Sequence, residues 1–169
     1  MMKVGDNTFP NVLALTTGLW AGERGGAGSE TGPYKPPAAP DSKLDIDSLP
    51  FIWKEARQAG CPTFYSEDSP SIGTFNYYKA GFRDPPTDVY HRPFWLAASR
   101  LVRPEVGDVC LLGRPSFSYQ LELASQFLQL YRHNCSFSFL FHVEFGHTQD
   151  INDVKILYIL FLILIGCLL

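Results

Sequence analysis

The sequence predicts an α/β domain built as a mainly parallel sheet flanked by helices, and three observations predict it. Over Phe117–Arg132, the residues Leu121, Ala124, Phe127, Leu128 and Tyr131 share one helical face at spacings of three and four. The period then changes to two, with Phe137, Phe139, Phe141 and Val143 on one side of a strand over Ser136–Val143. A shorter version comes earlier, a helix over Phe51–Ala59 followed by a strand over Pro62–Tyr65. Helix followed by strand, repeated, is the signature of βαβ units.

The elements follow in chain order. Thr8 is a good N-cap, Pro10 suits a first turn where a missing N–H costs nothing, and Val12–Thr17 continue a helix that Gly18 stops. From Gly22 to Pro40 the composition turns to Gly, Pro, Ser and Ala, so residues 22–47 read as a flexible surface loop and structure resumes at Ser48. In the Phe51–Ala59 helix Ile52, Ala56 and Ala59 share a face, and Gly60 ends it. Glu67 to Pro70 is a turn signal, and Ser71–Arg92 lacks a clean period, reading as loop with one short helix near Phe75. Pro93–Leu101 is a further short helix. Lastly, Ile156–Leu169 is a nearly unbroken apolar run of 14 residues, short of the roughly 20 that a spanning helix needs. Three readings of that tail stay open: a short membrane anchor, a buried strand or helix, or residues foreign to the fold through a gene-model or splice error. The expected division is therefore a domain over 1–153 and an apolar tail over 154–169.

Composition excludes some functions. A net charge of -3 gives no basic face for nucleic acid. The four cysteines, Cys61, Cys110, Cys135 and Cys167, show no C-x-x-C spacing, which argues against a zinc or thioredoxin-like motif. Cys110 and Cys135 are a candidate pair in an oxidising compartment; buried free thiols are the alternative. Asn134-Cys135-Ser136 fits the glycosylation sequon. No signal peptide is visible at the start, so the expectation is either a cytosolic protein or an upstream export segment missing from this version of the chain.

The chemistry concentrates at Gly5–Asn11. A hydroxyl at a helix N-terminus sits where unpaired N–H groups and the positive dipole end favour a tetrahedral anion. Thr8 there is either a nucleophile toward phosphorus or sulfur or simply a helix cap. Lys3–Asn11 (KVGDNTFPN) with Leu13–Leu19 (LALTTGL) resembles the nucleophile region of the alkaline phosphatase superfamily, whose nucleotide pyrophosphatase branch carries a Thr-Phe-Pro-Asn run with the nucleophilic Thr. More closely, the chain resembles the sulfatase-like domain-of-unknown-function 229 family. Its other marks are Pro50–Lys54 (PFIWK), Glu67–Tyr77 (EDSPSIGTFNY), Pro85–Asp88 (PPTD) and Arg92–Phe94 (RPF). The resemblance covers residues 3 to 153.

That resemblance implies a partial alkaline-phosphatase-like sheet, an incomplete domain, with Thr8 as nucleophile and metal ligand and Asn11 near the transferred group. It also makes Phe145–Asn152 the region after a core strand, with His147 and Asp150 as metal-site candidates; a surface His and a solvated Asp are the alternative. Glu67 and Asp68 invite a catalytic reading as a carboxylate pair. Adjacent residues on a strand end point opposite ways, so the favoured alternative is a turn capped by Asp68, and His91 and His133 read as surface residues. The implied cofactor is a divalent metal, zinc or calcium, and the implied substrate a small anionic ester. The family's two-metal site draws on an Asp ahead of the nucleophile and on Asp and His ligands downstream that have no counterpart here. The expectation is a fragment of an ester hydrolase, inactive alone, extracellular or membrane-associated through its tail. The alternative is a non-catalytic secreted or membrane-anchored binding module.

Overall fold

A computed structural model describes residues 8–19, 45–77, 79–100, 110–143 and 162–166. Helix α1 spans Thr8–Thr17, with Phe9, Pro10, Val12, Leu13 and Thr16 buried. Thr16 and Thr17 turn their hydroxyls back onto the carbonyls of Val12 and Leu13 at 2.7 and 2.6 Å, and Gly18 ends the helix at a φ of 69° that suits glycine.

The described residues resume at Asp45, within the stretch expected to be loop, of which residues 22–44 lie outside the described residues. A 3-10 turn over Ile46–Ser48 buries Ile46, and Asp45 and Asp47 both pair with Arg83. Helix α2 is Ile52–Gln58. The amides of Gly60 and Cys61 close back on the carbonyls of Arg57 and Ala56, a glycine-terminated helix end as the sequence requires. Its inward anchor is Trp53, fully buried, whereas Ala59, expected on the inner face, is exposed.

Strand β1 is Thr63–Glu67, β2 is Val89–Tyr90, and β5 is Ser136–Phe141. The three are parallel in the order β2-β1-β5, and β6 (Leu162–Gly166) extends the sheet as an antiparallel partner of β5. The fold is thus α/β with an open, mainly parallel sheet. Between β2 and β5 lie α3 (Arg92–Ala98), a hairpin of β3 (Cys110–Leu111) and β4 (Arg114–Pro115), and α4 (Ser116–Leu130). The hairpin turns through Leu112 and Gly113, both at positive φ (50° and 80°), as a two-residue hairpin loop demands.

Alternation along the strands divides the core. Tyr65, Phe137, Phe139 and Phe141 face α1 and α2, where they join Phe9, Val12, Phe51, Trp53 and Phe75. Phe64 and Leu140 face the other way, onto Ala124 and Phe127 of α4. The four inward residues foreseen in the last strand, Val143 included, do belong to one cluster. The opposite side is also covered, so all six residues of β5 are buried. Helix α4 covers it with a face rotated from expectation: Gln120 is fully buried and Leu121 is 37% exposed.

Two cysteines differ from expectation. Cys135 is bonded to Cys61 rather than Cys110, with Cα atoms 5.1 Å apart. These residues precede β5 and β1, so the parallel pairing of those strands brings their entrances together. The Cys110–Cys135 pairing is thereby overturned. In the tail, the five residues of β6 take the strand reading, and no described helix is long and apolar enough to cross a membrane.

Candidate functional site at the carboxyl ends of the strands

Parallel strands expose one set of carboxyl ends, and in open α/β sheets ligand sites gather there. The described residues place three groups at that end.

The first is the start of α1. Thr8 is its first helical residue and half-buried; Asn11 completes the opening turn, also half-buried. Phe9 fixes the position by burying its ring against Phe75, edge-on at 6.0 Å. Phe75 adjoins Thr74, which is hydrogen-bonded to Glu67, the last residue of β1. Lys79 lies with its ammonium 4.1 Å from the centre of the Phe9 ring, a cation–π contact beside the helix start. Burial lowers the Lys79 pKa from its ordinary value.

The second group surrounds Glu67. Its Oε1 accepts the Thr74 amide at 2.8 Å and the Thr74 hydroxyl, while its Oε2 accepts the Tyr65 hydroxyl at 2.7 Å. Burial raises the Glu67 pKa, and the bonds from Thr74 and Tyr65 only partly oppose it. Tyr90, stacked on Tyr65 at 5.5 Å, is itself pushed up to about 12 by burial. Gly73 lets the cluster close: a Cβ there would lie 3.3 Å from Glu67 Oε2 and 3.4 Å from Arg92 Nη1. That Arg92 nitrogen donates to the Pro70 carbonyl at 2.7 Å.

The third joins the ends of β1 and β5. Asp68 Oδ1 accepts the Val143 amide at 2.7 Å, and Asp68 Oδ2 lies 3.7 Å from His142 Nδ1. Behind them, Gln120 Nε2 donates to the Ser66 and Phe141 carbonyls at 2.7 and 3.3 Å, tying α4 to both strands. Asp68 reaches across to the neighbouring strand, a longer span than capping its own turn. A residue-by-residue turn reading has no means of seeing that partner.

His147 and Asp150 lie outside the described residues. Thr8 and Asn11 lie at the start of α1, linked to Glu67 through Phe9, Phe75 and Thr74. Of the strand-end residues, sequence reasoning weighs Glu67 and Asp68 as a carboxylate pair and sets them aside as a turn, and His142 carries no expectation. His91 also departs from its surface assignment. It is half-buried, its ring edge-on to Phe64 at 4.6 Å, and burial lowers its pKa. His133 is exposed as expected.

Among the described residues no three His, Cys, Asp or Glu side chains gather where they could hold a metal ion. By themselves these residues do not fit the two-metal arrangement that the resemblance implies. They offer a helix start able to hold an anion, a neighbouring ammonium, and a carboxyl group whose pKa is raised.

No curated protein and no solved structure matches the chain. A family model described as "Protein of unknown function (DUF229)" matches residues 1–157, and the chain belongs to that family.

Proposed function

We propose that the chain is a portion of a sulfatase-like ester hydrolase domain of the alkaline phosphatase superfamily, supplying its nucleophile end and inactive alone. The observation that carries this reading is the placement of Thr8. It opens a ten-residue helix whose second residue, Phe9, packs edge-on against Phe75, the neighbour of the Thr74 that donates to Glu67 at the carboxyl end of β1. Backbone N–H groups in a first helical turn lack intrahelical partners and favour tetrahedral anions. Lys79 adds positive charge beside them. His147 and Asp150 follow Val143 by four and seven residues in sequence, past the end of the neighbouring strand. In this reading Thr8 and Asn11 contact the transferred group of a small anionic ester. Zinc or calcium ligands beyond the described residues complete the site.

The setting is extracellular or membrane-associated. The Cys61–Cys135 bond favours the extracellular arm, because disulfides persist in oxidising compartments.

A second reading, a non-catalytic binding module, is favoured by a different feature. An apolar cavity of about 320 Å³ lies between α3, the hairpin and α4, lined by Ala98, Leu111, Tyr119 and Leu123 among others. Binding modules need such a cavity and no nucleophile.

Two measurements separate the readings. The purified chain, assayed with aryl phosphate and aryl sulfate esters plus zinc, manganese or calcium, is expected to show no turnover; turnover abolished by Thr8→Ala would overturn inactivity alone. Titration with inorganic phosphate, followed by amide chemical shifts, is expected to move the Thr8–Asn11 signals in the wild type. Shifts absent there, or confined to the cavity between α3 and α4, would sink the hydrolase kinship and leave the binding module.

A further inference from the structure

The corner holding the disulfide also carries the chain's Asn-Cys-Ser sequon, and the two features bear on one another. Helix α4 ends at Leu130, and residues 131–134 turn the chain into β5. Asn134 closes that turn by donating its amide to the Tyr131 carbonyl at 2.9 Å, and its side chain is exposed, as are those of Arg132 and His133. This turn lies at the amino end of β5, the far end of the strand from Asp68, His142 and Val143. A bulky, hydrated substituent on Asn134 therefore displaces no core residue and leaves the carboxyl-end site open.

We propose that Asn134 carries an N-linked oligosaccharide, a modification that rests on the oxidising-compartment setting given above. The chemistry balances with a lipid-diphosphate oligosaccharide as donor. A bond forms between Asn134 Nδ2 and the first sugar carbon, the sugar–phosphate bond breaks, the lipid diphosphate leaves, and Nδ2 gives up a proton to the transferase's base.

The fold dictates when this happens. Ser136, whose hydroxyl completes the acceptor motif, is 2% exposed and lies in β5, paired with both β1 and β6. Cys135, the middle residue of the motif, is bonded to Cys61. Once the disulfide and the strand are in place, no transferase can engage the three residues as an extended acceptor. Attachment must precede closure of the corner, so disulfide formation and glycosylation compete for the same nascent segment. Removing Cys61 should raise occupancy at Asn134.

The test expresses the full chain in a eukaryotic secretory host, behind a cleavable export signal and a short acceptor tag placed ahead of Met1. The tag acquires one oligosaccharide and certifies entry. Wild type is expected to show two mobility steps removed by peptide-N-glycosidase and Asn134→Gln only one, with the doubly modified fraction rising in Cys61→Ser. A single step in both wild type and Cys61→Ser overturns the modification. If the wild type shows that single step while the Cys61–Cys135 bond forms, the oxidising-compartment setting survives. An exported chain whose Cys61 and Cys135 stay free thiols counts against the setting itself, whatever the number of sugars.

Discussion

At the scale of single residues, Glu67 and His91, both half-buried beside the parallel strands, set opposite pH dependences. Burial raises the Glu67 pKa above 4.5, so the folded protein binds this proton more tightly than the unfolded chain. As pH rises from about 4.5 through that raised value, the folded state binds more protons than the unfolded one and stability falls. His91 behaves inversely. Its folded pKa lies below 6.5, so between that lowered value and 6.5 the unfolded chain holds the extra proton and stability rises with pH. Urea titrations across pH 4 to 7 should therefore show the falling slope lost in Glu67→Gln and the rising slope lost in His91→Phe. A Glu67→Gln profile parallel to wild type would mean that the carboxyl group is not desolvated in the folded state. Neither environment was legible from sequence. Glu67 and Asp68 look like turn residues because their partners, Thr74 and Val143, are 7 and 75 positions away. Thr8 was legible as a helix start because that is a local signal, written in the Thr, Pro and Asn of one short run.

Among elements, α4 shows best where local pattern ends and packing begins. Its helical character follows from the three-and-four spacing of Ala124, Phe127 and Leu128, and the structure agrees within two residues at either end. Its inward face was misplaced because hydrophobicity alone selects Leu121, whereas the sheet selects Gln120, buried to 0%. The amide of Gln120 serves two strand-end carbonyls, Ser66 and Phe141, and ties α4 to both strands. Gln120→Leu is therefore expected to destabilise the fold by about 1–3 kcal/mol despite the greater apolarity of Leu, because two carbonyl acceptors lose their donor. Hydrogen exchange should then rise first at the carboxyl ends of β1 and β5; a neutral or stabilising result would show water able to replace the amide. The short strand β2 escaped the sequence for a related reason. Two residues, Val89 and Tyr90, carry no period, and only pairing with Phe64 and Tyr65 makes them a strand. The apolar tail was ambiguous because a short run of Leu and Ile suits strand, helix and membrane alike.

For the whole molecule, the decisive constraint is that the strands carrying the site are fastened at one end by a covalent bond and at the other by polar contacts. Cys61 and Cys135 join residues 74 apart at the amino ends of β1 and β5. At the carboxyl ends the same two strands are held by Asp68, Gln120 and the Val143 amide. Chain-entropy reasoning assigns a cross-link of that span about 4 kcal/mol, with measured values usually about 2–4 kcal/mol. For a chain of this size each kilocalorie corresponds to about 2–4 °C in melting temperature. Reduction, or Cys61→Ser with Cys135→Ser, should thus lower the midpoint by about 10 °C in calorimetry. The loss should not be uniform. Because the polar contacts remain, phosphate-induced shifts at Thr8–Asn11 should persist in the reduced protein below its new midpoint, while exchange protection falls near Thr63 and Phe137. Equal melting with and without reductant, or free thiols on Cys61 and Cys135 in the oxidised protein, would remove the bond from the account. The parallel pairing of β1 and β5 would then rest on the carboxyl-end polar contacts and on aromatic packing around Trp53 and Phe139. In that case Trp53→Ala, expected to cost about 3–5 kcal/mol, would unfold the domain outright rather than weaken it.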